Sequence, residues 1–279
     1  MRRPALAALV ALALPLALAA AEPGPPRPTV PGYLAPGALD IVAVLPAAPT
    51  PGDARDRADR EIFRATRALE GSPRWYRASE DAAGSAAALY RDFACALDLS
   101  ITPEQAPRLT QLLQRATRDA GRAIEASKSH YRRIRPYNVD AGPTCRPRAE
   151  TGESFDYPSG HALVGWTWAQ ILAELDGAHA GPILARGRAF GESRVVCGVH
   201  NYSAVQAGQF AASALVAVLR GSPEFRTDLE AARAELAGLR AGAPTTTETD
   251  AASEGSAAPA ACAAEAPLVS PIQIAAPAG

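Results

Sequence analysis

Between Asp53 and Arg240 apolar residues recur at intervals of three and four, while alternation of β-branched residues at every second position is nearly absent. A chain with that spacing buries its apolar stripes helix against helix and offers no strand to a sheet. The expected fold class is therefore all-α, a single compact multi-helix domain over residues 53–240 with its site in a helix-bounded cleft. Asp53 to Leu69 carries Ile62, Phe63 and Leu69 among charged residues and stops at Gly71-Ser72-Pro73. Ala82 to Leu99 reads as an alanine-rich second helix. Thr102-Pro103-Glu104-Gln105 offers a capping threonine, a proline for the first turn and a capping-box glutamine. A third helix is predicted from there to Arg135, where Pro136 enforces an end. Ser159–Leu175, Pro182 to about Phe190, Tyr202–Leu219 and Pro223–Leu239 read as four more. No internal repeat is visible.

The ends differ from this middle. Residues 1–21 have the build of a signal peptide: Arg2 and Arg3, an apolar run from Ala5 to Ala20, then Ala19-Ala20-Ala21 before Glu22. The run falls short of the roughly 20 residues that span a bilayer. A periplasmic or secreted protein is expected, with no stable membrane insertion. Residues 22–52 form a proline-rich arm in which Ile41 to Leu45 can pack. Residues 241–279 are rich in Ala, Thr, Glu, Ser and Pro, hold few large apolar side chains and are expected to be disordered. Export permits disulfides. Cys95, Cys145, Cys197 and Cys262 allow three complete pairings, among which the sequence does not choose. A bridge between two of the first three fits, because Cys262 lies in the tail.

Charge excludes one class of partner and raises a question about another. Against 29 Asp plus Glu stand 28 Lys plus Arg, so the chain lacks the positive excess on which binding to a nucleic acid polymer draws. Lysine occurs once among those cations, as Lys128. A compact ammonium with three rotatable donors, in a chain that otherwise uses guanidinium, suggests a task that arginine does not perform. Lys128 and Arg135 are seven apart, two helical turns, and so fall on nearly one helix face.

Two further segments carry unusual residues. In Tyr157-Pro158-Ser159-Gly160-His161 a capping serine and a glycine precede an apolar helix, leaving backbone N–H groups free for an anion, with His161 in the first turn. In Gly191 to His200, Arg194 and His200 flank a short apolar run that can form a buried turn. Taken singly, these are an ordinary helix end, an ordinary cap and a structural histidine.

In order along one chain they resemble the signature K-x6-R-P, P-S-G-H, S-R-x5-H-x3-D of the phosphatidic acid phosphatase type 2 superfamily, which includes bacterial acid phosphatases and vanadium haloperoxidases. Lys128, Arg135 and Pro136 fit the first element, Pro158 to His161 the second, and Ser193, Arg194 and His200 the third. The stretches Ile62 to Arg67, Glu70 to Trp75 and Ile101 to Gln105 are similar to the secreted class A acid phosphatases, and the resemblance runs from about Asp53 to Leu219. It implies an acid phosphatase acting on small phosphate monoesters. His200 would be the nucleophile, forming a phosphohistidine, and His161 the proton donor. Lys128, Arg135, Arg194 and the N–H groups at Ser159 and Gly160 would hold the phosphoryl oxygens. No metal or other cofactor is expected, since three cations neutralise the group. Self-association into a homo-oligomer is left open.

The signature's last aspartate is absent, because the position four residues after His200 is Ala204. In the family that carboxylate orients the nucleophilic histidine and stabilises its charged form. A backbone carbonyl, Glu192, Asp156 or Gln206 could substitute, and the sequence does not choose among them. Two alternatives to the phosphatase follow: a non-catalytic descendant that binds phosphate or phosphoesters with the same cations, or a vanadate-dependent haloperoxidase.

Overall fold

The computed structural model describes residues 30–242 and 259–272. The segment expected to be a signal peptide lies outside them. Among the described residues there is no strand. The chain runs through α1 (Ile41–Val44), α2 (Ala54–Thr66), α3 (Pro73–Glu80), α4 (Ala86–Leu97), α5 (Pro107–Tyr131), α6 (Gly160–Leu175), α7 (Ala180–Val196), α8 (Tyr202–Leu219), α9 (Pro223–Gly242) and α10 (Pro259–Glu265).

Local chemistry sets most of the helix starts. The side chains of Asp53, Ser72, Ser85 and Ser159 each accept a backbone N–H from the first turn of α2, α3, α4 and α6. Gly71-Ser72-Pro73, read as a stop, is therefore also a start: Ser72 caps α3 and Pro73 occupies its first turn. Thr102 and Gln105 make the reciprocal capping-box bonds, yet they close only a turn, and α5 begins at Pro107. It ends at Tyr131 rather than Arg135, because Arg132 adopts a left-handed conformation with φ 48°. α7 runs six residues past Phe190, to Val196, and so carries Ser193 and Arg194 on a helix instead of a loop.

α6 is the centre of the molecule, packed against α5, α7, α8 and α9. It is apolar over most of its surface, burying Leu163, Trp168, Ile171 and Leu172. Trp168 donates its indole N–H to Thr117 at 3.0 Å and meets Tyr90 edge to face, tying α6 to α5 and α4. α8 meets the length and hydropathy of a membrane-crossing helix, but half of that window is buried in the core. The arm packs along α5. Tyr33 donates its N–H to Asp119 and its hydroxyl to Asp228, each at 2.7 Å, and Ile41 is buried in the core.

Part of the tail expected to be disordered is folded against the domain. Cys262 in α10 is bonded to Cys95 in α4, Glu265 pairs with Arg186 at 2.8 Å, and Arg188 donates to the Val269 carbonyl. Composition pointed the other way because these attachments are a covalent bridge and polar contacts, which need few large apolar side chains. The second bridge, Cys145–Cys197, does join two of the first three cysteines. On a chain-entropy basis the 52-residue and 167-residue spans correspond to about 4 and about 5 kcal/mol of stabilisation. Cys145–Cys197 also fixes the end of α7 three residues before His200.

Candidate active site

Three chain segments converge beside the N-terminus of α6. Lys128 stands in the last turn of α5 and donates from Nζ to Ser154 Oγ at 2.7 Å. After the Arg132 turn the chain is extended at Arg135, whose Nε donates to the Ser154 carbonyl and whose Nη1 donates to the Val199 carbonyl, both at 2.7 Å. Lys128 and Arg135 thus meet because Ser154 holds both, not because they share a helix face. Gly198 (φ 75°) turns the chain out of α7, and its Cα lies so close to the Arg67 guanidinium that a Cβ would overlap it. That turn delivers His200.

The tautomer of His200 follows from its neighbours. Arg135 Nη1 lies 3.2 Å from Nε2, and an arginine N–H can only donate, so Nε2 is the acceptor. Nδ1 therefore carries the proton and donates it to Asp156 Oδ1 at 3.0 Å. The ring is neutral: burial, then Arg135, Lys128 and Arg194, hold it well below the ordinary histidine pKa. Asp156 is fully buried, and burial raises its carboxyl to about 6 even though Arg133 and the Asn201 bonds oppose the shift. Near pH 7 it is thus the ionised partner of the pair.

None of the other candidate acceptors reaches Nδ1, which is held by Asp156. Glu192 accepts from Arg188 at 2.5 Å, Gln206 is exposed, and the Val199 carbonyl serves Arg135. Of the four substitutes that sequence left open, Asp156 is the one in place. Its position two residues before Pro158 in Asp-Tyr-Pro-Ser-Gly-His was the available signal.

His161 lies in the first turn of α6, stacked on Phe190 with ring centroids 5.9 Å apart. Its Nε2 donates to the Ala82 carbonyl at 3.0 Å, which fixes its tautomer in turn. Burial first, and then Arg194, Lys128 and Arg135, lower its pKa to about 3. Arg194 projects from α7 into the same place. It is buried, its Nε and Nη1 have no hydrogen-bond partner, and burial lowers its pKa to about 10. A buried guanidinium with orphan donors is costly by itself and signals an anionic ligand.

Lys128, Arg135, Arg194, His161, His200 and Gly160 all line one cleft of about 360 Å³, with Ile124, Val164 and Phe190 as its apolar wall. Ser159 is placed differently from the expectation. It is fully buried, its amide donates to the Ala204 carbonyl and its hydroxyl caps the Ala162 amide. The free first-turn amides are those of Gly160 and His161. Gly208 of α8 makes this approach possible, since a Cβ there would overlap the Ser159 carbonyl. Ser193 likewise faces away, donating to Asp81 at 2.5 Å and accepting from Arg74 at 2.9 Å. Among the described residues no group of three or more His, Cys, Asp or Glu is placed to hold a metal ion.

The PAP2 superfamily pattern matches residues 116–227, the stretch that carries these side chains. The chain is 41% identical over 208 residues to an acid phosphatase of Zymomonas mobilis, covering 74% of this chain and 79% of the relative. The chain belongs to the PAP2 superfamily. It is also 35% identical over 206 residues to a non-specific acid phosphatase of Providencia stuartii, covering 73% and 83%, and 35% over 195 residues to one of Salmonella typhimurium, covering 69% and 78%.

One electrostatic property of this PAP2 site is directly testable. Burial, reinforced by Arg135 and Arg194, lowers the Lys128 pKa to about 8. The ammonium is therefore present below that pH and lost above it. Normalised to the concentration of the monoester monoanion, kcat/KM, which reports the free enzyme, should be level up to about pH 8 and fall about tenfold per pH unit above it. Lys128→Arg should abolish that limb at the cost of a lower plateau; a limb that persists in the variant assigns it to another group.

Proposed function

We propose that this protein is an exported phosphatase that hydrolyses small phosphate monoesters through a phosphohistidine on His200. One observation carries the reading: His200 Nε2 is held unprotonated in a cleft shared with Lys128, Arg135, Arg194 and a second histidine. A binding protein would need the cations but neither the fixed tautomer nor His161.

The substrate's phosphoryl oxygens would meet the three cations and the Gly160 and His161 amides, an arrangement that neutralises the charge developing in phosphoryl transfer. On that approach Arg135 Nη1 leaves Nε2 for a phosphoryl oxygen. Nε2 attacks phosphorus, the ester P–O bond breaks, and His161 protonates the departing oxygen. Resting His161 is neutral, so the proton must arrive with the substrate. A monoester monoanion brings one, with a pKa near 6, and the resulting dianion beside His161 restores an imidazolium. His161, neutral again after the transfer, takes a proton from water as the water oxygen attacks the phosphohistidine. The N–P bond breaks, leaving His200 Nε2 unprotonated as at the start, and the departing hydrogen phosphate takes the proton back from His161. The two disulfides support the export part of this reading, because such bridges persist in oxidising compartments.

The test is turnover of p-nitrophenyl phosphate in EDTA, with rapid quenching into base to trap the intermediate. Expected are undiminished hydrolysis and a base-stable, acid-labile phosphoryl group on the peptide holding His200. Hydrolysis that EDTA abolishes, or phosphate binding without turnover, would overturn the proposal.

A further inference from the structure

We propose that Asp156 is the positioning residue of His200, replacing from another element the carboxylate that the PAP2 signature carries four residues after its nucleophile. The inference rests on the phosphatase reading above and adds a residue to it. The signature position is Ala204, in the first turn of α8, whose side chain is a methyl group and whose carbonyl accepts the Ser159 amide. Asp156 lies 44 residues before His200 in the loop that leads into α6.

The carboxylate is held as an orienting group must be. Its Oδ1 accepts both the His200 Nδ1 proton at 3.0 Å and the Asn201 amide at 3.1 Å, and its Oδ2 accepts Asn201 Nδ2 at 2.8 Å. Its own amide donates to the Arg133 carbonyl at 2.8 Å. Behind it the Arg133 guanidinium lies 3.4 Å from Oδ2 and 2.9 Å from Asp59. Asp59, on α2, also accepts the Ser203 amide at 2.8 Å. The segment Asn201 to Ser203, which fixes His200 to α8, is thus gripped by two buried carboxylates bridged by one arginine. When phosphorus bonds to Nε2 the ring becomes cationic with its remaining proton on Nδ1, aimed at Asp156, which then faces a full charge instead of a dipole. That interaction strengthens in the transition state and so acts on kcat.

The test compares Asp156→Asn, Ala204→Asp and the double variant with wild type. Asp156→Asn is expected to lower kcat about 10²-fold while the inhibition constant of inorganic phosphate moves by less than about threefold, since the cations remain. Ala204→Asp should restore about tenfold or more in the Asp156→Asn background and give no gain in wild type, where the ring is already oriented. A purely structural role would not produce that conditional rescue. Imidazole ¹⁵N shifts of the wild-type protein supply a readout that no variant's folding can spoil: His200 should be protonated at Nδ1. A proton on Nε2, an Asp156→Asn enzyme with wild-type kcat, or an equal gain from Ala204→Asp in both backgrounds would overturn the inference. A wild-type protein inert towards phosphomonoesters would instead sink the phosphatase reading, leaving the tautomer measurement to decide the Asp156 contact.

Discussion

Changing His200 to alanine is expected to lower p-nitrophenyl phosphate turnover by about 10⁵- to 10⁶-fold, the order of loss that follows when a nucleophile working as part of a unit is removed. The residue that remains has no atom to form the bond to phosphorus, and the second histidine in the cleft offers no replacement. His161 spends its Nε2 proton on the Ala82 carbonyl and stands stacked on Phe190. Binding should survive. Arg135 keeps its bonds to the Ser154 and Val199 carbonyls, and Lys128 keeps Ser154, so neither cation depends on the lost ring. Asp156 keeps three of its donors, those of Asn201 and Arg133. The fold should therefore lose only about 1–2 kcal/mol, the cost of one buried hydrogen bond and a small cavity. Turnover, phosphate inhibition of a mixed assay and the denaturant midpoint check the three parts. Added imidazole should recover some turnover, because a free ring in the vacated space can accept the phosphoryl group and pass it to water. A variant that retains more than about 10⁻² of wild-type activity would place the nucleophile elsewhere.

The sequence made local causes visible and hid non-local ones. Helix starts at Asp53 and Ser159 were legible because a capping side chain bonds to an amide two or three residues away. Periodicity located α6, α8 and α9, whose buried faces repeat along one helix. The end of α5 was not legible. Arg132 adopts a left-handed backbone with no glycine or asparagine to announce it, and the next three residues leave the helix axis. Lys128 and Arg135 are neighbours, but Ser154 from a distant loop holds both, and the shared helix face that their spacing suggests plays no part. Asp156 illustrates the same limit at the site. That a carboxylate was missing at Ala204 could be read from spacing, but which of four groups replaced it depended on a contact across 44 residues. The tail failed for a different reason: composition measures the capacity for an apolar core, and α10 is held by a disulfide and by Glu265.

Arg194 should show opposite effects on catalysis and on stability. Arg194→Met removes one of the three cations that line the cleft, and if they meet the phosphoryl group as proposed, kcat/KM is expected to fall about 10³-fold, about 4 kcal/mol of transition-state stabilisation. The same change should raise the stability of the ligand-free protein by about 1–2 kcal/mol. Two terms compete. The guanidinium is buried, Nε and Nη1 are without partners, and Arg135 repels it, so the resting fold carries the desolvation of a charge with little in return. Methionine fills a similar length with apolar atoms beside Phe190 and Val164 in the cleft wall, and it leaves no donor unsatisfied. Packing mismatch costs less than the burial of an uncompensated charge, so the stability gain wins in the absence of phosphate. Saturating phosphate should reverse the order, because wild type gains RT ln(1 + [L]/Kd) and the weakened variant gains little. Denaturant midpoints measured for both proteins, each with and without phosphate, contain the whole argument. A variant less stable than wild type without phosphate would mean that Arg194 is held by the fold and is not waiting for a ligand.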